Sequence, residues 1–131
     1  MFSTAIDELR AGRKRTHWMW FIFPQLRGLG HSHIAQFYGI SGPEEATAYF
    51  AHPVLGPRLE TATAAVLGSP AASLHQLFGS PDDLKFRSSM TLFAISAPEG
   101  PFGAALDLWC GGELDHRTVW LLGHSGSAEE A

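Results

Sequence analysis

Two short stretches hold most of the side chains able to do chemistry. In Arg13-Lys14-Arg15-Thr16-His17-Trp18-Met19-Trp20-Phe21-Ile22-Phe23-Pro24-Gln25 the chain's densest positive charge runs directly into its densest aromatic cluster, and in Lys85-Phe86-Arg87-Ser88-Ser89 two cations and two hydroxyls crowd one short segment. Guanidinium and ammonium groups neutralise phosphate or carboxylate, while hydroxyl and amide groups orient it. These residues predict a groove where His17–Gln25 meets Lys85–Ser89. In it Arg13, Lys14, Arg87 and Arg27 would balance charge, Trp18 or Trp20 would form a flat apolar wall, and Gln25, Ser88 and Ser89 would orient the ligand. The expected occupant is a small anionic or nucleotide-like molecule. A histidine titrates near neutrality, at about pH 6.5 when unperturbed, so His17 is the candidate acid or base if the groove is an active site.

Plainer roles stand beside these. Lys85 and Arg87 could reach solvent or pair with Asp82 or Asp83, and so dense an aromatic run is ordinary core material. Stacking of single-stranded bases on Trp18, Trp20, Phe21 and Phe23, with Arg13–Arg15 on the phosphates, is the alternative use of the same run. His31-x-His33, with His52 elsewhere, lacks a carboxylate or cysteine at ligand spacing, so no metal is expected. Gly28-Leu29-Gly30-His31-Ser32 has neither the full glycine pattern nor the lysine of a phosphate loop, and no cofactor is expected. Asp82 and Asp83 are neighbours pointing about 100° apart and suit a helix start. Cys110 beside Trp109 reads as a packed thiol.

These groups need helices to position them. Phe2, Ile6 and Leu9 recur at helical spacing before Gly12, so the first helix ends near residue 11. Between His17 and Phe23 periodicity is uninformative, but no second strand pattern exists to pair with, and unpaired buried backbone is costly; a short buried helix stopped by Pro24 is expected. Ser32–Phe37 suits a short helix. Ser41 and Glu44 have capping-box spacing ahead of a helix over Pro43–His52, and Leu55, Leu59, Ala62 and Val66 stripe the next one, starting at Pro53. Ser80 is the expected N-cap of a helix over 81–96, with Phe86, Met90 and Phe93 on one face and Leu84, Ser88 and Ile95 almost opposite, so other elements should cover it on both sides. A helix over Phe102–Cys110 should stop at Gly111-Gly112, and Asp115 should cap a last one through Leu122.

The expected architecture is therefore all-α, a single multihelical domain of six or seven short helices over residues 1–123, with 124–131 a disordered tail. The 131 residues, 45% of them hydrophobic, suffice for one core without disulfides, and a single cysteine fits a reducing, cytoplasmic setting. The longest apolar run, Trp18–Pro24, is too short for a membrane span, which needs about 20 residues. The net charge of −4 argues against non-specific binding of duplex nucleic acid. Residues 1–30 nevertheless carry five cations against two carboxylates, leaving −7 for the remainder, so the positive field is local. A basic N-terminal edge of this kind also suits an acidic protein partner of unknown identity.

The blocks Gly12-Arg13-Lys14, His17-Trp18-Met19-Trp20, Phe23-Pro24-Gln25-Leu26, Gly28-Leu29-Gly30, Gln36-Phe37-Tyr38-Gly39-Ile40, His52-Pro53-Val54-Leu55-Gly56-Pro57-Arg58-Leu59 and Gly79-Ser80-Pro81-Asp82-Asp83-Leu84-Lys85-Phe86-Arg87-Ser88-Ser89-Met90-Thr91-Leu92-Phe93 occur in this order. On them the chain, from about Leu9 to Leu122, resembles a family of small bacterial proteins, domain-of-unknown-function family 1810. The resemblance implies a mainly α-helical fold and brings no established activity, cofactor or catalytic residue. Members usually begin with a further segment holding an Arg-Phe and an Ala-Gln; either the start here is a late one or the domain lacks that element, which would leave part of Trp18–Phe23 less well covered. The label "calpastatin" attached to such proteins does not suit this composition, because calpastatin's inhibitory segments are disordered until bound.

Overall fold

In the computed structural model, which describes residues 1–130 in backbone and 1–124 with side chains, the described residues form nine α-helices and one 3-10 turn. The all-α expectation holds: among the described residues there is no strand, only an isolated parallel bridge between Leu26 and Ile40. Six helices have seven or more residues, and the surplus over the expected count consists of short turns. The tail expected over 124–131 falls, from residue 125 onward, outside the residues described with side chains.

Helix α1 (Phe2–Ala11) buries Ala5, Ile6 and Leu9 and ends as its sequence predicts. Gly12 adopts a left-handed φ of 83°, a conformation that costs only glycine little, and the N–H groups of Gly12 and Arg13 close back on the carbonyls of Leu9 and Glu8. Helix α2 (Met19–Ile22) is the short buried turn ahead of Pro24. After it, the N–H of Ile40 donates to Gln25 O (2.8 Å) and that of Arg27 to Ile40 O (2.9 Å), which anchors Gln25 beside the 3-10 turn η1 (Arg27–Leu29). Within Trp18–Phe23 only Phe21 is half-buried; the other five residues are buried.

Helix α3 (His33–Tyr38) starts from Ser32, whose hydroxyl accepts from Ala35 N–H. Helix α4 (Pro43–Ala51) is capped one residue later than expected: Gly42 is the N-cap, and Glu45, not Glu44, reaches back to Ser41 N–H (2.6 Å). Helix α5 (Leu55–Leu67) starts later than Pro53 because His52 Nδ1 accepts from the N–H groups of Val54 and Leu55. Gly56 lets α5 close on α4, since a Cβ there would lie 1.9 Å from Phe50 O. The helical pattern that follows Gly68-Ser69-Pro70 becomes the one-turn helix α6 (Leu74–Phe78), which starts at Ser73, whose hydroxyl accepts from Gln76 N–H.

Helix α7 (Asp82–Ser96) is central, contacting α2, α4, α6, α8 (Phe102–Cys110) and α9 (His116–Glu130). Its N-cap is Pro81 rather than Ser80, the Ser80–Pro81 peptide is cis, and Asp83 Oδ1 accepts from Leu84 N–H. Phe86, Met90 and Phe93 fill the core with Phe23, Phe78 and Phe102, and Phe86 stacks on Phe78 at 5.1 Å. Each such burial contributes roughly 1.5–3 kcal/mol. The opposite face is covered only at mid-helix, where Ser88, Thr91 and Leu92 are buried and Asp115 N–H, just ahead of α9, donates to Thr91 Oγ1; Leu84 and Ile95 are exposed. Asp115 caps α9 as its sequence predicts, its Oδ2 accepting from Thr118 N–H and Oγ1.

Candidate functional site

The basic segment turns inward. Glu8, on α1, accepts from Arg15 N–H (2.7 Å), Thr16 N–H (3.1 Å), Thr16 Oγ1 (2.8 Å) and Trp18 Nε1 (2.9 Å). Burial pushes this carboxyl's pKa up, but the four hydrogen bonds to its charged form outweigh it and hold the group at about 2. Trp18 is left 1% exposed and offers no wall to a ligand. Lys14, whose side chain is 7% exposed, places Nζ 2.8 Å from Asp82 Oδ2 and over the Trp18 ring. Arg13 and Arg15 are exposed, Arg13 beside a polar hollow with Pro70 and Gln76. His17 is exposed and lines none of the described cavities.

Four of the anticipated residues do meet. Trp20, Gln25, Lys85 and Ser88 line one cleft of about 400 Å³ where α2, α3, α7 and the start of α9 converge. Gln25 is 2% exposed, and its Nε2 has no hydrogen-bond partner. A buried amide donor left alone costs about 1–3 kcal/mol. Lys85 Nζ is 3.4 Å from Asp82 Oδ1, so one carboxylate is shared by Lys14, closely, and Lys85, loosely. Ser88 Oγ donates to Leu84 O and keeps its acceptor capacity. Trp20, 9% exposed, presents only a strip of ring, because Gly30 lies against it and a Cβ there would meet Cζ2 at 3.3 Å.

Four further polar side chains line the cleft: His31 and Ser32, which the sequence offers only as a weak anion-binding hint at a helix start, and Asp115 and Arg117, which sequence reasoning missed. Ser32 and Asp115 carry a legible signal as helix caps, but nothing in the chain links the two caps to one cleft. Arg117 Nη2 approaches Gly28 O at 3.4 Å, bridging α9 to η1 and adding a second cation at the rim.

Arg87 and Ser89 lie elsewhere. Arg87 faces a separate cavity of about 200 Å³ with Trp109 and Cys110, 3.9 Å from Glu113, with Nε enclosed and unpaired. Burial raises the Cys110 pKa, and the Arg87 charge only partly opposes it. Ser89 is fully buried in the core. Arg27 belongs to a third cavity, on the far side of η1. Among the described residues no three His, Cys, Asp or Glu side chains gather to hold a metal, and no described helix is long and apolar enough to cross a membrane.

Residues 1–122 match the model of the family described as "Protein of unknown function (DUF1810)". A crystal structure of the conserved hypothetical protein Rv1873 from Mycobacterium tuberculosis is similar throughout, with a TM-score of 0.90 and 54% identity over 93% of this chain and 88% of that one. No curated protein matches the chain.

Proposed function

The chain belongs to the DUF1810 family of proteins of unknown function, and on that premise we propose that it binds a small phosphate- or carboxylate-bearing molecule in the cleft between α2, α3, α7 and α9. The buried, unpartnered amide of Gln25 in the wall of that cleft carries the reading. Lys85 and Arg117 provide the positive rim, and Ser32 and Ser88 add hydroxyls. The narrow strip of Trp20 favours a compact phosphosugar or similar metabolite over a ligand held by base stacking. A cytoplasmic setting suits both such a metabolite and the free Cys110.

A thermal-shift screen of phosphosugars, ADP-ribose and nucleotides tests the proposal. At least one compound should raise the melting temperature, and Lys85→Ala should abolish that rise while changing the unliganded stability by less than about 0.5 kcal/mol. If nothing on the panel stabilises the protein, or if Lys85→Ala binds as well as the wild type, the cleft is not an anion site.

A further inference from the structure

The cavity beyond η1 has chemistry of a different kind. Its volume is about 300 Å³, and Leu26, Ile40 and Leu121 make its apolar walls. Trp120, 57% exposed, stacks on His124 with ring centroids 4.0 Å apart and planes 18° from parallel, so a flat plate borders the opening. Trp18 and Trp20 are buried, so this outward indole stands apart from the tryptophans that build the core. Arg27 supplies the charge. It spends Nη2 on Gly39 O (3.1 Å), and among the described residues no carboxylate lies within ion-pair distance of it.

Apolar walls with one or two placed polar groups are the usual make-up of a small-molecule site, and about 300 Å³ is the lower end of the size range, enough for a one- or two-ring ligand. A ring would contact the Trp120 plate and the aliphatic floor, while the remaining guanidinium donors would take a carboxylate. We infer that this cavity is a second binding site, for a small aromatic carboxylate. It stands independently of the α2–α3–α7–α9 cleft, from which η1 separates it: Arg27 and Gly28 line one side, Leu29 and Gly30 the other.

Phenylacetate titrated into the full chain and followed by amide NMR tests the inference. Saturable shifts confined to residues 26–28, 40–41 and 120–124 are expected. Benzyl alcohol, which keeps the ring but loses the charge, should bind about tenfold more weakly than phenylacetate, as should phenylacetate to Arg27→Gln. Trp120→Ala removes an exposed side chain and should keep the wild-type spectrum elsewhere while losing the saturable shifts. Absence of saturable shifts in the wild type, or equal binding of the acid and the alcohol, would overturn the assignment. So would a dimer in sedimentation that Trp120→Ala dissociates, because a second copy would then own the Trp120 face.

Discussion

Residues Arg13–Trp18 and Gln25–Ser32 are near neighbours in the chain and comparably rich in polar groups, yet folding treats them in opposite ways. In the first, the polar groups are satisfied internally whether buried or not: Lys14 by Asp82, and the Trp18 indole and the exposed Arg15 and Thr16 amides by Glu8. In the second, the Gln25 amide is enclosed without a partner at a cleft bordered by His31 and Ser32. Density of reactive side chains therefore does not mark a site in this protein. Unspent hydrogen-bonding capacity beside open volume is the ground on which a site is proposed.

The contrast can be broken at its structural end first. Trp18→Ala removes a ring packed against Phe23 and Phe78 and should cost about 3–5 kcal/mol in denaturant unfolding. Asp82→Asn strips the partner from the nearly buried Lys14 and should cost about 2 kcal/mol, a little under the range for a fully buried pair. It should also release Lys85, so any anion that binds the cleft should bind Asp82→Asn more tightly in calorimetry; weaker binding would mean that Asp82 positions Lys85 instead of competing for it.

Glu8 gives the comparison a pH signature. Its folded pKa of about 2 lies below the ordinary 4.5, so its stabilisation is complete above about pH 4.5 and is lost as the pH falls towards 2. Glu8→Gln should cost about 1.5 kcal/mol at pH 7 and flatten that acid limb in melting curves taken from pH 6 to 2.5. The smallest effect falls at the cleft. Gln25→Leu replaces an unpaired amide by a slightly smaller apolar group and should leave stability unchanged or raise it by up to about 1 kcal/mol, while weakening any anion that binds the cleft. A loss of more than that in chemical denaturation would show that Gln25 is structural.

Much of the fold is legible in the residues themselves. Gly12 ends α1, Pro24 ends α2, Ser32 and Asp115 cap α3 and α9, and Gly111 ends α8, because these signals act through hydrogen bonds within a few residues. Where the reading slipped, several local solutions competed: Glu45 took the role expected of Glu44, and Pro81 that of Ser80. The candidate site was half legible. Trp20, Gln25, Lys85 and Ser88 could be nominated by type, and they do meet. Trp18, Arg87 and Ser89 were nominated on equal grounds and lie in other surroundings, while Asp115 and Arg117 were passed over.

What the sequence determined by itself was the helical character, most element ends and the apolar residues of the core, since propensity, capping and the 3.6-residue period are properties of short stretches. Only the tertiary structure decided which polar groups find a partner and which are left facing a cavity. That choice depends on distances between residues as far apart as Gln25 and Arg117, or Arg27 and Trp120. Such separations are set by how α7 is surrounded, and no local pattern encodes them.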